Sequence, residues 1–131
     1  MGRSVSLTSG QTGGVGAAII ALSGGQVTTQ PIGSQAPANG YYVVVHVKAT
    51  ATTADGFVID PTEFYAVVKG REYDTESGNS PTFSLPNQLF AGGPVKGEST
   101  SGDIAFDIPA RHGTIVFSPG NSNRPVTYWS F

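Results

Sequence analysis

The segment from Tyr41 to Thr52 reads YYVVVHVKATAT, and its alternation is the clearest hydrophobic pattern in the chain. Tyr41, Val43, Val45, Val47 and Ala49 fall on one face of an extended strand, and Tyr42, Val44, His46, Lys48 and Thr50 on the other. The first set is wholly apolar, while the second turns polar towards its end. A helical period would put His46 and Lys48 among the valines, so the pattern predicts a strand with one face in a core.

Shorter apolar runs surround it. AAIIAL (17–22) reads as a strand, Ser23-Gly24-Gly25 as a turn, and QVTTQPI (26–32) as an edge strand, because Pro31 has no N–H for a ladder. Residues 36–40 form a loop. In DGFVIDPTEFYAVVKGREYD, Asp60-Pro61 has the N-cap and N1 residues of a short helical turn. Lys69-Gly70 reads as a two-residue hairpin loop between FYAVV and REYD. Residues 74–82 are a polar loop, and FSLPNQLF, broken by Pro86, can pair only at a sheet edge.

Further along, Gly102, Ile104, Phe106 and Ile108 alternate with Asp103, Ala105 and Asp107. TIVFS and VTYWSF complete the set, on either side of a loop at 119–125. About seven to nine short strands at roughly 8–12-residue spacing predict an all-β, antiparallel sandwich or barrel. The expected core is Ile19, Val43, Val45, Val47, Phe64, Val67, Ile104, Phe106, Ile108, Ile115, Phe117 and one of Tyr128 or Trp129. Residues 1–14 read as a mobile tail and 15–131 as one domain; no internal repeat suggests a propeller or solenoid.

Composition agrees and narrows the function classes. Of 131 residues 38% are hydrophobic and 12% charged, with 18 Gly and 9 Pro, which suits strands and turns rather than a helical bundle. The seven Lys and Arg are scattered along a chain of net charge −2, so neither nucleic acid nor an anionic membrane is an expected partner. The chain has no cysteine, which removes disulfides, thiol nucleophiles and thiolate metal sites. No apolar run approaches the roughly 18–20 residues of a membrane-spanning helix.

Candidate chemistry is sparse. Glu98, Asp103 and Asp107 are the acids a glycosidase would pair, yet Asp103 and Asp107 stand about 13 Å apart along a strand, and they read as its solvated face. His46 and His112, the only histidines, lack HxH or HExxH spacing and predict no metal site. No G-x-S-x-G occurs, GGVG (13–16) is no dinucleotide motif, and Asn79-Ser80-Pro81 is no glycosylation acceptor. No cofactor is expected.

Two leads remain. Tyr42, Tyr128 and Trp129 belong to adjacent aromatic pairs whose members point to opposite faces, so one of each pair is a candidate binding-surface ring. His46 and, secondarily, His112 are candidate pH-responsive groups, since imidazole titrates near physiological pH.

Motifs in order add a resemblance. GGVGAAIIAL, the valine-rich strand, DPTEFYAVVKGREYD, GESTSGDIAFDIP, GTIVFSP and the terminal VTYWSF resemble the secreted immunoprotective antigens of mycobacteria. They also resemble the related domain of unknown function of Gram-positive surface lipoproteins. The resemblance spans most of residues 14–131. It implies an immunoglobulin-like β-sandwich, exported, with no established enzymatic activity and no catalytic residues. The expectation is therefore a non-enzymatic protein, secreted or attached to the cell surface. As a mature chain without a signal peptide, it would act as a binding module for a protein partner at that surface or in a host. The alternatives are an envelope or cell-wall assembly domain and a small hydrolase or metal-dependent enzyme on the same sandwich.

Overall fold

The structure, a computed structural model, describes residues 4–7, 16–53, 57–119 and 127–131. Among them are eight strands: β1 (Ser4–Leu7), β2 (Ala18–Thr28), β3 (Tyr41–Ala51), β4 (Phe64–Val68), β5 (Arg71–Asp74), β6 (Ser99–Ile108), β7 (Thr114–Phe117) and β8 (Thr127–Ser130). They form two antiparallel four-stranded sheets, ordered β1-β2-β3-β6 and β5-β4-β7-β8. The fold is an all-β sandwich.

Its interior is built from the alternation in β3. Val43, Val45, Val47 and Ala49 are fully buried, beside Ile20 and Leu22 of β2 and Ile104, Phe106 and Ile108 of β6. Phe64, Ala66 and Val68 of β4, Ile115 and Phe117 of β7 and Trp129 of β8 close the core from the second sheet. The Phe64 and Phe117 rings lie 4.8 Å apart between centroids, a tilted aromatic contact.

Two expected core positions are displaced by one residue. Ile19 is 39% exposed while Ala18, Ile20 and Leu22 face inward. Val67 is half-buried while Ala66 and Val68 are inside. In both runs neighbouring residues are apolar, so either phase satisfies the sequence; the register Ile20↔Ala49 and Ala66↔Ile115 decides it.

The predicted turn at Ser23-Gly24-Gly25 is instead a bulge within one continuous strand. Gly24 and Gly25 take φ of 83° and 73°, and the β2–β3 register shifts between Gly24 and Gln26. Ser4–Leu7, read as part of a tail, pair with β2. Residues 1–3 and 8–14 of that tail, most of GGVG, and residues 120–125 of the loop at 119–125 lie outside the described residues.

Local chemistry accounts for the connections. Asp60 caps a single 3₁₀ turn, Pro61–Glu63, with a reciprocal capping box: its side chain accepts from Thr62 N–H at 2.9 Å and its own N–H donates to Glu63 at 2.7 Å. Lys69 and Gly70 both take positive φ, 51° and 77°, as a two-residue hairpin with Val68 opposite Arg71 requires. FSLPNQLF is not a strand. Thr82–Ser84 make a 3₁₀ turn, and residues 87–89 lie along the outer edge of β6 through a single parallel bridge, Gln88↔Asp103.

Candidate functional site

Asp107 was expected on a wet face; it is completely buried. Its Oδ2 accepts from Ala38 N–H at 2.7 Å and Asn79 N–H at 2.8 Å, and its Oδ1 from Asn39 N–H at 2.8 Å. The Asn39 side-chain amide donates back to the Asp107 carbonyl at 3.0 Å. The outer face of the sheet is covered here by the loops at 30–40 and 75–84, so the carboxylate holds both loops in place. Gly78 leaves room for it, since a Cβ there would lie 2.7 Å from Asp107 Oδ2. Buried and held by three backbone donors, the group serves the fold.

Tyr42 completes the same knot and so is not a surface ring. It is fully buried, and its hydroxyl lies 3.1 Å from both the Gln35 and Asn79 carbonyls, to which it can donate. Burial, and then the Asp107 carboxylate, push its phenol above the usual tyrosine range. Trp129 is likewise buried, 2% exposed, and belongs to the core. Of the three candidate aromatics Tyr128 alone is exposed, at 63%.

The histidines are not brought together. His46 on β3 sits opposite Asp103 on β6, with Nδ1 2.8 Å from Oδ1, on an open sheet face where the two side chains are 40% and 27% exposed. A pair that wet contributes about 0–1 kcal/mol. The same row continues to Ser23 of β2, exposed and opposite His46. His112 is exposed in the turn before β7. Glu98 is exposed and closes its own turn, accepting from Val95 N–H at 3.1 Å. Among the described residues no three His, Asp or Glu groups are placed to hold a metal ion, and no helix is long and apolar enough to cross a membrane.

Sequence reasoning missed the groove of about 260 Å³ between the capped turn and the chain that edges β6, lined in part by Asp60, Thr62, Glu76, Phe83, Gln88 and Phe90. Phe83 is 50% and Phe90 69% exposed. Three exposed wall residues, Phe83, Phe90 and Glu76, each follow a buried anchor. Thr82, fully buried, donates to the Ala105 carbonyl at 2.8 Å and accepts from its N–H at 2.9 Å, fixing Phe83. Leu89, 1% exposed, donates its N–H to Asp103 at 2.9 Å, fixing Phe90. Thr75, 1% exposed, donates to the Pro61 carbonyl at 3.3 Å and ties Glu76 to the capped turn. Leu89 and Phe90 are adjacent, so no single strand phase buries both; that was the available signal.

A second groove, about 450 Å³, lies between the loops at 32–35 and 78–84. Several of its polar groups already serve the fold: Asn79 donates to Ala36, Ser80 to Ala105 and Ser84 to Pro81.

No family model matches the chain, and no curated protein sequence does. Among solved structures it is similar to MPT63, a secreted protein from Mycobacterium tuberculosis, with a TM-score of 0.70 and 18% identity. The likeness covers 98% of this chain and 92% of that one. At this identity it establishes a shared fold.

Proposed function

We propose that the chain is a non-enzymatic interaction module, secreted or attached to the cell surface, that contacts a protein partner through the groove bearing Phe83 and Phe90. The observation that carries this reading is the exposure of two large aromatic rings on a rigid, anchored wall. An exposed side chain gains nothing for the core, whereas rings carried on an anchored backbone spare a partner the cost of ordering that segment. The likeness to a secreted protein supports export, and the motif resemblance supports an immunoglobulin-like variety of the sandwich. The acids and histidines that a hydrolase would need support this reading too, because Asp107 is held by the fold and His46 pairs with Asp103 on an open face.

Two measurements test it. Fractionation of the source cells should place the protein outside the cytoplasmic membrane; exclusive recovery from the cytoplasm would overturn the export half. A photo-cross-linking residue at position 83 or 90 should yield a discrete protein adduct from the surface fraction, while one at Tyr128, whose exposure lies between theirs, should not. Equal labelling from all three positions would overturn the assignment of the groove.

A further inference from the structure

The chemistry of the groove narrows the partner, and this step rests on the interaction reading just given. We infer that the groove takes a segment of a partner protein presenting a Lys or Arg side chain next to an apolar one.

Three observations converge. Asp60 and Glu76 bring two carboxylates to the groove, and among the described residues no basic one lines it. The Asp60 carboxylate is partly occupied, with Oδ1 accepting from Thr62 N–H and Oγ1, whereas among the described residues Oδ2 has no partner and neither does the Glu76 carboxylate. Phe83 and Phe90 add two exposed aromatic rings, and the negative quadrupole of an aromatic face attracts a cation held over it. Carboxylates and ring faces therefore select the same sign of charge, and the apolar ring edges accommodate an aliphatic or aromatic neighbour. The volume, about 260 Å³, lies just below the roughly 300–1,000 Å³ of small-molecule sites and matches one or two side chains of a larger partner.

The second groove makes the contrast. No ionisable side chain lines it, and its amides and hydroxyls are largely spent on the fold. It carries no comparable selection.

The test is a titration of ¹⁵N-labelled protein with three synthetic peptides: acetyl-GRLKFG-amide, its acidic counterpart acetyl-GELEFG-amide, and acetyl-GRGKGG-amide, which keeps the charges and lacks the apolar side chains. The first should shift the amides of residues 60, 62, 76, 83–84 and 88–91, with the acidic peptide about tenfold weaker or more, as two partly exposed ion pairs allow. The third should also be weaker than the first. Phe83→Ser with Phe90→Ser should abolish the shifts and leave the fold intact, because both rings are exposed. Glu76→Gln should weaken the first peptide several-fold and reduce its dependence on salt.

Equal affinity for the acidic peptide at the same amides would overturn the cationic preference and leave the groove standing as a contact site. Shifts confined to other surfaces, or none at about 2 mM peptide, would overturn both. Concentration-dependent self-association lost in the double serine variant would also overturn the inference, by making a second copy of the chain the occupant.

Discussion

Replacing Asp107 by asparagine tests the central structural claim, that a buried carboxylate ties two loops to the sheet. The side chain is isosteric and has one oxygen in place of two. If that oxygen keeps the Ala38 and Asn79 bonds, the new NH₂ group meets the Asn39 N–H donor; if it flips, it loses both of the others. Losing one charge-assisted bond costs about 1.5–3 kcal/mol. Ala38 and Asn39 lie on exposed loop residues, where water replaces part of what is lost. The expected cost of Asp107→Asn is therefore about 1–3 kcal/mol, and of Asp107→Ala, which loses all three bonds, about 3–5 kcal/mol.

For a chain of this length those costs correspond to roughly 3–5 °C in Tm per kcal/mol. Urea unfolding should show a lower midpoint at an unchanged m-value. Amide exchange supplies the local readout, with Ala38, Asn39 and Asn79 losing protection in both variants while the amides of β3 keep theirs. An Asp107→Asn protein within about 0.5 kcal/mol of the parent, with those three amides still protected, would refute the reasoning.

Three further outcomes follow from the same geometry. Tyr42 and Tyr65 both have their phenols raised above the ordinary value near 10, Tyr42 by burial and then Asp107, Tyr65 by burial and then Glu72. The folded state therefore keeps protons the unfolded chain has released. The associated stability is fully present below about pH 10 and is lost as pH rises through the folded values. Thermal melts from pH 8 to 12 should show that decline, and Tyr42→Phe should make it shallower; an unchanged slope would refute the Tyr42 contribution. Phe106→Ala removes a fully buried ring and should cost about 3–5 kcal/mol, measured by urea unfolding. Gly102→Ala would place a Cβ 2.5 Å from Leu89 Cα, so residues 87–89 must lift away; about 1–3 kcal/mol and loss of protection at the Leu89 amide are expected.

What was legible in the sequence is what neighbouring residues decide among themselves. The phase of β3 follows from valines alternating with His46 and Lys48, the hairpin from Lys69-Gly70, the capped turn from Asp60-Pro61. Where two adjacent residues are both apolar, as in Ile19-Ile20 and Val67-Val68, local pattern has no preference and the partner strand chooses. The Gly24-Gly25 bulge looks like a turn because both need positive φ. Asp107 was misread for a different reason: its donors lie 69, 68 and 28 residues away, beyond any local pattern. The groove was hidden because Phe83 and Phe90, taken alone, resemble the ends of a strand.

The segment along the outer side of β6 has a consequence for how the protein behaves at high concentration. A ten-residue strand at the margin of a sheet is a template on which another chain can grow. Residues 87–89 occupy part of that margin with their own backbone, Asp103 N–H donating to Asn87 at 2.6 Å and Leu89 N–H to Asp103 at 2.9 Å. Among the described strands, the margin at β5 is guarded differently, by the charges of Arg71, Glu72 and Asp74. The β6 edge is closed by occupancy and the β5 edge by charge. Salt at about 1 M, which shortens screening to about 3 Å, weakens the second guard and leaves the first intact.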